Sequence, residues 1–244
     1  MPPLPIRLLS LAMALCSLVA CGDHEARQAA LAAQQQARAE AEAREGQARV
    51  DEVLRSGQIE LAYAYAAEIV RRHPGTAAGR ALAQRLPELE AAAGEAAEAR
   101  RLRALWTYHA VDDAEAGGTV RTAYIRGTAI EQENAPAVRL VLRRHPAWGQ
   151  SIYLLMDHGG DFACAELCEV PLTVDREAPT TVRISRAKDN VPPAVFIEDD
   201  ARLMPVIEQA HELILALPVQ DGRRIAYRFE VGGLDPDRLQ AAPE

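Results

Sequence analysis

The sequence predicts an α+β fold, with an N-terminal α-helical stalk and hairpin followed by an antiparallel β-rich, sandwich-like domain carrying one packed helix. Three observations point to it. Up to Leu105 the chain is dominated by Ala, Glu, Gln and Arg, which are strong helix formers. From Trp106 onward, β-branched residues and apolar–polar alternation take over, separated by Gly, Pro and Asp turn clusters. Within that second part a single helical stripe, Leu203, Ile207 and His211, interrupts the alternation. The expected divisions are residues 1–20, 21–49, 50–105 and 106–244.

Residues 1–20 hold Arg7 and then an apolar run from Leu8 to Ala20, too short to span a bilayer stably as a helix. The run ends in Leu18-Val19-Ala20-Cys21-Gly22. This resembles a bacterial lipoprotein signal peptide with its lipobox. The resemblance implies that the Cys21 thiol is diacylated, that the chain is cut before Cys21, and that the new amino terminus is acylated too. It therefore implies attachment to a membrane through lipid. Gly22, where Asp would favour inner-membrane retention, implies the outer membrane facing the periplasm. The periplasmic face of the inner membrane is the alternative.

Residues 21–49 are expected to form a lipidated tether. From His24 to Arg49 the only large apolar side chain is Leu31, so a helix here has little to bury. About 25 residues at the helical rise would reach roughly 35–40 Å. Residues 50–105 carry real amphipathicity: Ala62, Ala66, Ile69 and Val70 share one helix face, as do Leu82, Leu86 and Leu89. His73-Pro74-Gly75-Thr76 separates the two stripes, with Thr76 as the expected N-cap. Pro87 is expected to kink the chain or restart a third helix, and Gly94 to weaken it further. The stretch from Gly57 to Leu86 resembles one tetratricopeptide-type helix pair. Repeat units need neighbours to bury their faces, so a single unit implies a hairpin packed on itself or on the next domain.

In residues 106–244, strands are expected near Val120–Glu131, Val138–Arg144, Ser151–Met156, Cys168–Val174, Thr181–Ser185, Ala194–Ile197 and Ile225–Val231. Turns fall at Asp157-His158-Gly159-Gly160-Asp161 and Asp221-Gly222. The one helix is expected over 200–217, opened by Asp200 and ended by Pro218. The full chain has a formal charge of −8, and residues 106–244 alone carry 22 acidic against 14 basic side chains. Nucleic acid is therefore a poor partner, since phosphate recognition needs a net basic face.

The residues that could carry chemistry are few. Cys164 and Cys168 are the only cysteines beyond Cys21. In an exported chain they read as a disulfide, or else as a redox-active or metal-binding Cys-x-x-x-Cys pair. The six histidines show no compact zinc spacing. Ser151 and Ser185 fall inside predicted strands, without a Gly-x-Ser-x-Gly elbow. Glu198-Asp199-Asp200 lacks a calcium-loop spacing and reads as a helix N-terminus attracting carboxylates. Trp106 reads as a plug where helix meets sheet. Trp148, in the Pro146–Gly149 turn, reads as a strand-end cap or, if exposed, as a partner or ligand contact.

Trp106, the Asp112-Asp113 pair, the Phe162-Ala-Cys164-Ala-Glu-Leu-Cys168 stretch and the closing Phe229-Glu-Val-Gly-Gly-Leu234 resemble periplasmic accessory proteins associated with type VI secretion. That resemblance implies a small periplasmic β domain and carries over no catalytic residues. The expectation is a non-enzymatic, lipid-anchored envelope binding or scaffold protein with an envelope protein partner and no cofactor. The alternatives are a thiol-redox or metal-binding protein using Cys164 and Cys168, and a small-ligand or peptidoglycan binder.

Overall fold

A computed structural model describes residues 9–157, 160–186, 193–220 and 222–240. The chain divides into two compact units, Met1–Ala97 and Glu98–Glu244. Among the described residues no helix is long and apolar enough to cross a membrane.

The first unit is built from α1 (Leu9–Arg55), α2 (Ile59–Arg72) and the first part of α3 (Ala77–Leu105). Cys21 falls within α1. Residues 24–38 of that helix are exposed, in keeping with their missing apolar stripe. Beyond them the expectation of a tether with little to bury is corrected only at Ala43 and Gly46. Ala43 and Val50 are fully buried, and a Cβ at Gly46 would overlap the Ile69 side chain of α2. Small residues seven or fewer positions apart let the two helix backbones approach closely, a signal that a search for large apolar residues passes over. Val50, Ala62, Ala66, Leu82 and Leu89 form the core of this unit.

Thr76 caps α3 as expected: its Oγ1 accepts from the Gly79 N–H at 3.0 Å and donates to the His73 carbonyl at 2.8 Å. The Glu40 carboxylate accepts from the Ala77 N–H at 3.1 Å, adding negative charge at the helix N-terminus. Pro87 does not restart a helix, because α3 continues through it to Leu105. An internal proline costs about 3 kcal/mol, and the buried Leu82 and Leu89 on either side hold the helix in register.

The second unit is one closed antiparallel sheet. Its strands are β1 (Thr107–Asp113), β2 (Gly118–Ala129), β3 (Val138–His145), β4 (Gly149–Met156), β5 (Leu167–Val174), β6 (Thr180–Arg186), β7 (Ala194–Ile197), β8 (Leu213–Pro218) and β9 (Arg224–Phe229). They are ordered β1-β2-β3-β4-β7-β6-β5-β8-β9, and β2 also pairs with β9. Strands β2 to β9 thus close an eight-stranded barrel, with β1 added outside the ring. The sandwich-like expectation is corrected to a barrel.

Closure rests on the length of β2. Its first half pairs with β1, while Thr128 and Ala129 at its end pair with Arg228 and Tyr227. Gly127 lies at that junction, where a Cβ would stand 2.6 Å from Phe229 Cε1. Only glycine lets the buried Phe229 ring lie against the backbone there.

Alternation fills the barrel. Ile125, Leu140, Leu142, Ile152, Leu154, Val170, Ile184, Leu213, Leu215, Tyr227 and Phe229 are buried in one cluster. The helix α4 (Asp200–Gln209) adds Leu203, Met204 and Ile207 to it. The helix expected over 200–217 is therefore halved. After Gln209 the chain is extended, and Leu213, Leu215 and Leu217 point inward with a period of two. The Asp175 carboxylate accepts from the His211 and Glu212 N–H groups, at 2.9 and 2.8 Å, where helix gives way to strand. His211 is thus in a connection and not on a helix face. Strand β1 was not anticipated. Trp106 just before it is buried, with Nε1–H donating to the Val231 carbonyl at 3.1 Å.

Candidate interaction surface on the barrel wall

Inward positions of β2, β3 and β4 are aliphatic, so their outward neighbours define the wall. Register places Tyr124 of β2 opposite Val141 of β3, Val141 opposite Tyr153 of β4, and Tyr153 opposite Phe196 of β7. An aromatic row therefore crosses the sheet, with Val141 only 3% exposed beneath it although it faces outward. The Tyr153 and Phe196 rings lie 5.3 Å apart. His109 of β1 stacks on Tyr124 at 5.7 Å.

Trp148 extends this row at the β3–β4 turn. His145 pairs with Gly149, whose φ of 74° closes the turn in the left-handed region that favours glycine. The Ala147 N–H donates to His145 Nδ1 at 3.1 Å, and Nε2 lies 3.8 Å from Asp113 Oδ2. On this buried, fixed imidazole the Trp148 indole lies nearly parallel, with centroids 3.8 Å apart and planes 10° from each other. Yet Trp148 is 72% exposed, more than any other large apolar side chain among the described residues. It is held in place from below and open above.

Arginines interleave with the rings. The Arg143 guanidinium sits 5.5 Å from the centroids of both Trp148 and Tyr153, and its Nε donates to Ser151 Oγ at 3.2 Å. Arg139 lies 5.2 Å from the Tyr124 ring and pairs with Asp157. Arg126 is exposed directly opposite Arg139. Burial raises the Tyr153 hydroxyl above its ordinary pKa, with Arg143 and Arg139 opposing this more weakly. It is therefore a neutral hydrogen-bond donor across the physiological range.

The other sequence-derived candidates lie elsewhere. The sulfurs of Cys164 and Cys168 stand at disulfide-bonding distance, with their Cα atoms 5.8 Å apart. Cys164 is 2% exposed and belongs to the barrel core. Arg186 of β6 holds the same segment, donating to the Cys164 carbonyl at 2.8 Å and pairing with Asp161 at 2.9 Å. Ser151 accepts from Arg143, and Ser185 donates to Glu198. Asp199 faces Arg183 at 3.2 Å. Among the described residues no group of three His, Cys, Asp or Glu is placed to hold a metal ion. His158 lies outside the described residues, as does Asp221 of the expected hairpin turn. A separate groove of about 510 Å³ runs between α4 and the β5–β6 hairpin, lined by Leu172, Val182, Pro205 and Val206 among others. Trp148 does not line it.

Sequence reasoning singled out Trp148 but not its neighbours. Tyr124, Arg143, Tyr153 and Phe196 come from four strands, and only strand pairing brings them together. The available signal was the outward parity of Arg139, Val141 and Arg143 on one strand. No protein-family model matches this chain, and no curated protein or solved structure is significantly similar to it.

Proposed function

We propose that this chain is a lipid-anchored, non-enzymatic binding protein of the bacterial cell envelope, whose protein partner docks on the barrel wall at Trp148. Its anchor is Cys21, and its location is the periplasmic face of the outer membrane. The carrying observation is the exposed Trp148 indole, fixed on His145 and flanked by Arg143 and Tyr153. Trp, Tyr and Arg are the residues that most often dominate binding energy at protein interfaces, and a pre-positioned side chain loses little entropy on contact. The filled barrel interior supports an external site, since the core cluster occupies the space a ligand would need.

Burial of Cys164 and the Arg186 clasp support a bracing role for the cysteine pair over a cycling one, because only the half-buried Cys168 offers a sulfur to an attacking thiol. The likeness to type VI secretion-associated accessory proteins remains compatible with a binding role in the periplasm.

The test is photo-crosslinking in intact cells from position Thr122, which lies opposite Arg143 on the outward face, with Arg224 on β9 as the control position. A discrete adduct from Thr122, lost on Trp148→Ala and absent from the control, is the expected result. Equal yield from both positions, or none from Thr122, would overturn the docking assignment. Cys21→Ser should release the protein from the membrane fraction; retention there would overturn the anchor.

A further inference from the structure

We infer that the partner segment docking on the Trp148 wall is acidic, presenting carboxylates to Arg126 and Arg143. The inference rests on the docking reading above and adds the chemistry of the partner. Three guanidinium groups, Arg126, Arg139 and Arg143, share the outward face of β2 and β3 by register. Of these three, only Arg139 has a carboxylate of a described residue within 4.0 Å, namely Asp157. Arg126 faces Arg139 across the strands, an arrangement of like charges that is destabilising in the free protein. The domain is net acidic, with 22 acidic against 14 basic side chains over residues 106–244. Carboxylates to neutralise these arginines are therefore plentiful in the sequence, yet among the described residues the fold brings only Asp157 within 4.0 Å of any of the three. Unneutralised positive charge on an aromatic platform is complementary to an anion.

The chemistry narrows the anion. The strand backbones here are paired, and the polar side chains are chiefly guanidinium groups and a protonated tyrosine, with the hydroxyls of Thr122 and Ser151 beside Arg143. Such a face is dominated by donors and matches carboxylates better than neutral sugar hydroxyls, which need acceptors as well. A long polyanion or an anionic bilayer would meet the domain's overall negative field, whereas a short acidic segment meets only this wall. The Trp–Tyr–Arg composition favours a protein segment for the same reason.

Fluorescence provides the readout, because the chain has two tryptophans and Trp106 is buried in the core. Acrylamide quenching therefore reports mainly on Trp148. The mature chain, in neutral detergent micelles, is titrated with a peptide of about ten residues alternating glutamate and leucine, and with its glutamine counterpart, a length spanning roughly 30 Å when extended. The expected result is saturable shielding of Trp148 by the glutamate peptide alone. Arg126→Gln with Arg143→Gln should weaken it about tenfold or more, as should raised salt. Arg143→Lys should retain part of the binding, and Arg224→Gln all of it.

Equal binding of the glutamine peptide would overturn the inference, as would indifference to the double substitution or no shielding by either peptide. Stronger shielding by phosphatidylglycerol vesicles or by purified sacculi would overturn it in favour of a lipid or cell-wall ligand. If crosslinking from Thr122 persists while these titrations fail, the docking site stands and only its acidic chemistry falls.

Discussion

Replacing Gly127 by Ala should loosen the barrel at its closing seam. In the native geometry the new Cβ would stand 2.6 Å and 2.7 Å from Phe229 Cε1 and Cζ, and 3.3 Å from Cδ1. Carbon atoms at rest sit about 3.5–4.0 Å apart, so roughly 1 Å of separation has to be found. Phe229 cannot swing outward to provide it, because its side chain is fully buried among the barrel core. The strain falls on the short β2–β9 pairing, where only Thr128 and Ala129 are in register with Arg228 and Tyr227. Overpacking of this kind costs about 1–3 kcal/mol. At about 2–4 °C per kcal/mol for a chain of this size, the barrel should melt roughly 2–12 °C lower. The measurement is a thermal melt followed by near-ultraviolet circular dichroism, which reads the packed aromatic residues. Phe229→Leu, introduced into Gly127→Ala, should recover part of the loss by removing the opposing ring atoms. An unchanged melting temperature, or a double variant no better than the sum of the two single ones, would refute the reasoning that Gly127 is required by close approach at the seam.

The two tryptophans should behave oppositely. Trp106→Ala, which removes a buried indole and its hydrogen bond to the Val231 carbonyl, should cost about 3–5 kcal/mol. Trp148→Ala should cost about 1 kcal/mol or less, since it removes one ring stack from a side chain that is mostly in water; denaturant titration of both variants checks this. Burial raises the Tyr153 and Tyr227 hydroxyls above their ordinary value of 10.0. Groups raised in this way stabilise the fold fully below that value, and their contribution is lost as pH climbs from there through the folded-state pKa. The barrel's melting temperature should therefore fall above about pH 10, and Tyr227→Phe should flatten the slope. Glu40→Gln should cost the helical unit about 0.5–1 kcal/mol, because the carboxylate that caps the Ala77 N–H loses its charge; helical circular dichroism at 222 nm, read against temperature, is the measure.

Local pattern accounts for much of this architecture. Helix formers and the stripe of Ala62, Ala66, Leu82 and Leu89 announced the helical hairpin, and Thr76 announced the start of α3. Alternation along Val138–Arg144 and Ser151–Met156 announced β3 and β4, because a half-buried strand repeats every two residues whatever it pairs with. The misreadings came where two signals overlapped. Leu203 and Ile207 carry a helical period, and Leu213, Leu215 and Leu217 a period of two, but Ile214 and the apolar run between them fit either. Tertiary contact decided, through Asp175 receiving the N–H groups of His211 and Glu212 and through the inward pull of three leucines. The helix restart expected as one outcome at Pro87 does not occur, because an internal proline's cost is local, whereas the leucines that offset it act through packing.

What the sequence determined by itself were the properties carried by neighbouring residues: the helical and strand periods, the acidic balance, and an aromatic in a turn. What only the tertiary structure decided were the properties of residues far apart in the chain. Closure into a barrel depends on β2 being long enough to reach β9 and on Gly127 leaving room for Phe229. The Trp148 wall depends on register across β1, β2, β3, β4 and β7, since an arginine's neighbours on a sheet face are set by hydrogen-bonded pairing and not by sequence distance. A lone turn tryptophan is ambiguous in sequence. Set on His145 beside Arg143 and Tyr153, it becomes an ordered, exposed contact.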